Sequence, residues 1–329
     1  MPLHPPTRRT WLTGTLAAAA TSALALPGCA TSRAAAPHPT ARPWAMPGTF
    51  YLDLPAAPLP GSTAARQHRI MVYRPAGDVP AGGFPVIYVL DGNLMFPLVA
   101  QLLHNRGARG PALRGDSAIV IGLGHALPPG SQEVHDRAAR TYDYTPPYPG
   151  IGPTSQGQAQ GGADRFLDFI ATQVQPLVAR QWPVDMERQT LVGHSFGGLC
   201  VLHTLLTRPG MFQRHVVGSP SLWWEGGRIL DACAAFVAHH APPGQRLPQP
   251  LALHLSQGSE EQRRATIPAN PEREVRQNSS AADLPALLAP VPNLACDYTV
   301  WPGADHGGAI PFVCMQAVRV ALGGAGTAP

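Results

Sequence analysis

Apolar positions along this chain change period several times, and each change marks an element. Residues 69–75, RIMVYRP, alternate apolar with polar, the pattern of a strand with one face in water. Residues 85–92, PVIYVLDG, and 118–124, AIVIGLG, are continuous apolar runs closed by turn residues, as strands buried on both faces of a parallel sheet should be. Between 163 and 180, Phe166, Phe169, Ile170, Val174 and Leu177 recur at helical spacing. Further strands are expected at 189–193, 215–219, 251–256 and 296–301. A closing helix is expected at 311–322, with Phe312, Met315 and Val318 on one face and Pro311 in its first turn. Strands and helices alternate, so the economical architecture is α/β, a mostly parallel central sheet flanked by helices in a single domain.

Two stretches break this rhythm. Residues 125–161 are irregular and run into the Pro/Gly-rich TPPYPGIGPTSQGQAQGG, and a loop of that length is expected to be a lid or a binding loop. Residues 261–283 are charged and read as a solvated surface excursion.

Composition changes the picture mainly at the N-terminus. A chain of 329 residues buries enough core to need no disulfide or metal staple, and its 38 Pro and 34 Gly make it loop-rich. Arg8 and Arg9 precede LTGTLAAAATSALAL, which is short for a bilayer span and shaped like a signal-peptide core. TRRTWL resembles a twin-arginine export signal, and Leu26-Pro27-Gly28-Cys29 resembles a lipobox with Cys29 as the lipidated residue. Residues 1–28 therefore read as an export signal, 29–48 as an Ala/Pro-rich tether and 49–325 as the folded domain. The protein is expected to be exported, periplasmic or anchored as a lipoprotein, touching the membrane only through a lipid on Cys29.

Removing residues 1–28 lowers the formal charge from +4 to +2, too mild a basicity for a nucleic-acid partner. Four cysteines remain, Cys200, Cys233, Cys296 and Cys314. Export permits disulfides, yet Cys200 and Cys314 fall in apolar helical patterns and Cys296 opens a strand, so they read as free thiols. No Cys/His spacing suggests zinc, and neither a metal nor a cofactor is expected.

The chemistry centres on TLVGHSFGGLCVLHTLL, residues 190–206, where Gly193-His194-Ser195-Phe196-Gly197 fits G-x-S-x-G between a strand and a helix. A serine on such a turn takes a strained backbone that lifts its Oγ above the sheet edge, and the helix beginning there offers N–H groups to a developing oxyanion. Ser195 needs a base. His194 is too close in sequence, and His203 lies two helical turns on, so both read as structural. His306, in GADHGGAIP between the last strand and the last helix, stands where the α/β-hydrolase chain order of Ser, acid, His puts the base. The acid should follow the penultimate strand, where QGSEEQ offers Glu260 and Glu261; Asp305 beside His306 is another candidate, and a Ser-His dyad needs none. The oxyanion donors are expected to be the backbone N–H groups of Phe196 and of Asn93 in the Asp91-Gly92-Asn93 turn.

With these pieces in place, the chain resembles the esterase branch of the α/β-hydrolases that contains enterobactin-type siderophore esterases and their periplasmic IroE-like relatives. The matching segments are VIYVLDGN (86–93), RTYDYTPP (140–147), GGADRFLDFI (161–170), LVGHSFGGL (191–199), SPSLWW (219–224), GSEE (258–261) and GADHGGAIP (303–311). The resemblance favours Glu261 as the acid, because the family spacing G-x-x-E runs here from Gly258 to Glu261. It implies hydrolysis of catecholate trilactone esters and makes Arg140, Trp223 and Trp224 substrate-side candidates. The alternatives are a general exported carboxylesterase for small acyl or aryl esters, an acyltransferase, and a lipoprotein that binds a siderophore without hydrolysing it.

Overall fold

The computed structural model describes residues 44–108, 117–247, 249–261 and 280–323. The export segment, Cys29, nearly all of the tether and most of the charged excursion lie outside the described residues.

Eight strands form one sheet in the order β1-β2-β4-β3-β5-β6-β7-β8. They are β1 (Thr49–Ala56), β2 (Arg66–Tyr73), β3 (Phe84–Val89), β4 (Ile119–His125), β5 (Val184–His194), β6 (Arg214–Gly218), β7 (Leu251–Gly258) and β8 (Leu294–Trp301). β1 and β2 pair antiparallel, as do β2 and β4, and every pair from β4 to β8 is parallel. The continuous apolar runs are the reason for the middle of this order. Every residue of β3 and β4 is buried, which only a position covered on both faces allows.

Successive β3 residues feed two different cores. Val86 and Tyr88 join a large cluster with Phe166, Leu199, Phe212 and Phe236. Ile87 and Val89 point the other way, into a cluster with Met95, Val99, Val313 and Ala317. Helix α1 (Gly92–Ala108) and α8 (Ile310–Ala321) supply that second face. The first face is covered by α3 (Ala163–Phe169), a π-helical turn at Ile170–Val174, α4 (Gln175–Gln181), α5 (Phe196–Thr207), α6 (Arg228–His240) and α7 (Leu284–Leu288). Each large aliphatic side chain fully buried in these layers stabilises by about 1.5–3 kcal/mol.

The irregular stretch 125–161 contains an element that the hydrophobic pattern does not reveal. Asp136 caps α2 (Arg137–Tyr144) by accepting from the Ala139 N–H. Its buried residues are Ala139, Thr141, Tyr142, Asp143 and Tyr144, with no large aliphatic side chain among them. Beyond α2 the loop folds back on itself: the Gly161 N–H donates to Thr145 Oγ1, and Trp224 Nε1 donates to Gln160 Oε1. Cys200, Cys233, Cys296 and Cys314 are free thiols, three of them buried.

Candidate active site

Ser195 stands between β5 and α5 with φ 60° and ψ −118°, a conformation that costs a non-glycine residue about 1–3 kcal/mol. The turn persists because its surroundings over-determine it. The Ser195 N–H donates to Gly218 O, and its carbonyl accepts from the N–H groups of Leu199 and Ser221. The flanking glycines are steric requirements. A Cβ at Gly193 would overlap the Gly197 backbone, and one at Gly198 would lie 2.8 Å from Gly218 O. Gly193→Ala is therefore expected to destabilise the protein by about 1–3 kcal/mol through overpacking. It should also abolish labelling of Ser195 by a fluorophosphonate, which a thermal melt and a labelling gel check together.

Beyond β7 and β8 a carboxylate and an imidazole meet. Glu261 Oε2 lies 2.8 Å from His306 Nδ1, while Oε1 accepts from Ser219 Oγ at 2.6 Å and from the Gly258 N–H at 2.7 Å. Burial pushes the Glu261 carboxyl up, but these hydrogen bonds outweigh it and hold the group below the usual carboxylate range. An ionised carboxylate only accepts, so Nδ1 of His306 carries the proton and Nε2 is left as a lone-pair acceptor. Among the described residues Ser195 Oγ has one hydrogen-bond partner, Ser221 Oγ at 3.3 Å, and it is not bonded to His306.

The other acidic candidates take part in the same two loops. Asp305 Oδ1 accepts from the Gly308 N–H at 2.7 Å, and its carbonyl accepts from Ala309, which shapes the turn into α8. The Glu260 N–H donates to Ala304 O, stitching the two loops together.

His194 is buried, and its ring centroid lies 4.5 Å from that of His306. Burial first, then the neighbouring His306, push its pKa down to about 4. It stays neutral and forms a wall behind His306. His203 is tied instead to Asp164 Oδ1 at 2.8 Å.

The Asp91-Gly92-Asn93 turn opens α1, as the Phe196 position opens α5. The N–H groups of Asn93 and Phe196 thus fall in first turns, where no intrahelical acceptor exists. The Asn93 side chain is clamped by the backbone of His125, with Oδ1 accepting at 2.8 Å and Nδ2 donating at 3.1 Å. Gly92 permits the approach, since a Cβ there would press on the Gly122 backbone at 2.8 Å.

Two of the substrate-side candidates, Arg140 and Trp224, are engaged by protein partners. Arg140 is no free cation: its Nε and Nη2 grip Asp91 at 2.6 and 2.7 Å. Trp224 is buried at 3% exposure, bonded to Gln160 and packed on Tyr148, so it anchors the long loop from beneath. Trp223 differs. It is 56% exposed and its ring lies 6.0 Å from that of Phe196, beside the Ser195 turn. The reading of the sequence missed Ser219 and Ser221 as hydrogen-bond partners, although both lie in the SPSLWW segment that follows β6.

A second cluster, His68, His125 and Asp143, places three ligand-type atoms within 4.8 Å of one another. It does not fit a cation. Both oxygens of Asp143 are taken by Arg66 at 2.7 Å, and that guanidinium would repel a metal ion. A cavity of about 270 Å³ lined by Arg66, His68, Arg165 and Phe169 adjoins this cluster and includes neither Ser195 nor His306.

A family model described as "Putative esterase" matches residues 61–286. The chain is 30% identical over 265 residues to the ferri-bacillibactin esterase BesA of Bacillus subtilis, covering 78% of this chain and 85% of that protein. It is 34% identical over 240 residues to the siderophore triacetylfusarinine C esterase of Aspergillus fumigatus, covering 68% of this chain and 77% of that protein. The solved structure of the siderophore hydrolase EstB from Aspergillus nidulans superposes with a TM-score of 0.69 at 27% identity, over 85% of this chain and 97% of that one.

Proposed function

From its membership of the "Putative esterase" family, to which this chain belongs, we propose that the protein hydrolyses the backbone esters of a siderophore through a Ser195 acyl-enzyme. The observation that carries the mechanism is the Glu261–His306 hydrogen bond beside a serine on a strained strand-to-helix turn. The siderophore substrate is supported by what the similar proteins are named for.

Ser195 Oγ swings from Ser221 to His306 Nε2 and attacks the ester carbonyl as Nε2 takes its proton. Glu261 stabilises the resulting imidazolium without taking its proton. The N–H groups of Phe196 and Asn93 hold the oxyanion. When the tetrahedral species collapses, the imidazolium donates its proton to the leaving alkoxide. Water then enters with His306 as base and releases the acid, restoring Ser195. The exposed face of Trp223 beside the nucleophile gives an aromatic ring of the substrate a surface to stack on. The Arg8-Arg9 signal and Cys29 favour a site of action outside the cytoplasm, tethered by a lipid.

The test compares cleavage of a catecholate trilactone with cleavage of a simple aryl ester. The wild type should convert the trilactone to linear fragments, and Ser195→Ala should do neither reaction. Good turnover of aryl esters with the trilactone untouched would make the protein a general carboxylesterase. Full activity in Ser195→Ala would overturn the mechanism.

A further inference from the structure

The cavity of about 270 Å³ lies between the β1–β2 edge of the sheet and the segment made by α3 and the π-helical turn, and none of Ser195, Glu261 or His306 lines it. Its size is just under the ~300–1,000 Å³ of ordinary small-molecule sites, which is room for a single ring and its substituent. Its inner wall is aromatic. His68, Phe166 and Phe169 are all buried, and the His68 ring centroid lies 4.5 Å from that of Phe169 and 5.3 Å from that of Phe166. Burial, more than any neighbouring charge, pushes the His68 pKa down to about 4, so at neutral pH this ring is uncharged and belongs to the apolar wall.

The charged groups that line the cavity cancel, except for one. Arg66 is committed to the protein: Nη1 and Nη2 hold the two oxygens of Asp143 at 2.7 Å, and Nε donates to Ala57 O at 2.6 Å. Asp168 accepts from Arg208 Nη1 at 2.6 Å. Arg165 is left over. It is exposed, its Nη1 donates to the Tyr142 hydroxyl at 3.3 Å, and no carboxylate among the described residues pairs with it. A second observation marks the same wall. Thr172 and Gln173 line the cavity from the π-helical turn Ile170–Val174, and single π turns inside helices occur frequently at functional sites.

We propose that this cavity binds a small aromatic carboxylate, its carboxylate on Arg165 and its ring against Phe169 and His68. One uncompensated cation calls for one negative charge, and a guanidinium fork matches the two oxygens of a carboxylate. The aromatic wall calls for a flat apolar body, which gains from ring–ring contact as well as from leaving water. Each half of the ligand is insufficient alone. An anion without a ring leaves the wall unfilled, and a neutral ring leaves Arg165 to solvent. The site is separate from ester hydrolysis and does not depend on the serine-esterase reading.

The experiment titrates the full chain into 4-fluorobenzoate and follows the ligand by fluorine NMR. The wild type should shift and broaden the signal saturably. Arg165→Gln is expected to weaken binding about 10- to 100-fold, as loss of a charge-assisted hydrogen bond does, and Arg165→Lys, which keeps the charge without the fork, should weaken it less. Ala57 is exposed beside the cavity, so Ala57→Trp should plug it and remove binding with Arg165 intact. Acetate, inorganic phosphate and neutral 4-fluorobenzamide should each bind at least about tenfold more weakly than the aryl acid. Ser195→Ala should bind like the wild type, and Arg165→Gln should hydrolyse a neutral aryl ester at the wild-type rate. Unchanged affinity in Arg165→Gln or in Ala57→Trp would overturn the proposal, as would the absence of saturable binding. So would equal binding of the benzamide, of acetate or of phosphate, or a loss in Ser195→Ala, which would put the ligand at the nucleophile instead.

Discussion

Exchanging Glu261 for glutamine is expected to cost about as much activity as losing His306 altogether, on the order of 10⁴-fold in kcat. The reason is the pair of donors already placed on Oε1. The Gly258 N–H is fixed by the backbone, and with the Ser219 hydroxyl it requires an oxygen at that position. A glutamine side chain must then turn its amide NH2 toward His306 Nδ1. That nitrogen would have to accept, so the ring would carry its proton on Nε2 and could not take the one from Ser195. Glu261→Ala leaves the tautomer free and should be less damaging than the glutamine. Steady-state kinetics of both variants and of His306→Ala on a neutral ester decide the matter. A Glu261→Gln enzyme within tenfold of wild type would refute the argument.

The second large effect is a steep loss of stability in mild acid. His68, His194 and His215 are buried, and burial is the main reason each pKa is pushed down to about 4. Asp143, His125 and Arg66 surround His68; His306, Glu261, Asp91 and Arg140 surround His194; and His254 neighbours His215. Each group has a folded pKa below its unfolded one, so between about pH 6.5 and 4 the unfolded chain binds the extra proton. The stability is present in full above the unfolded pKa and drains as pH falls through that window. At about 1.4 kcal/mol per pH unit, each histidine removes up to ~3 kcal/mol. Three together rival a typical net stability of about 5–15 kcal/mol. Glu261 acts in the same direction at lower pH, since its depressed pKa supplies stability that disappears as its carboxylate is protonated. Urea midpoints should fall sharply from pH 7 to pH 5, and His215→Leu should flatten part of the slope. Equal midpoints across that range would show that these rings are not held neutral.

Strands were the readable part of this fold, because a strand buried on both faces writes a continuous apolar run, as β3 and β4 do. The placing of Ser195, Glu261 and His306 after β5, β7 and β8 was readable too, because it follows the order of strands along a parallel sheet. What stayed hidden was held by polar contacts between distant residues. α2 looks like loop in sequence because its inner face bonds through Arg140 and Asp143 to Asp91, Arg66 and His125. α1 carries Pro97 and apolar residues nearly all round, so no helical stripe stands out. Trp223 and Trp224 are chemically identical in sequence, and only the packing against Tyr148 and Gln160 separates the buried one from the exposed one.

The order of the last four strands has a consequence for recovery from denaturation. Ser195, Glu261 and His306 leave the ends of β5, β7 and β8, and β8 sits at the outer edge of the sheet, paired on one side only. An edge strand supplied by the end of the chain has few partners to hold it before the rest of the sheet exists. On the proposed mechanism, regained hydrolysis is therefore expected to lag regained secondary structure, because it needs the β8 edge docked with His306 in place.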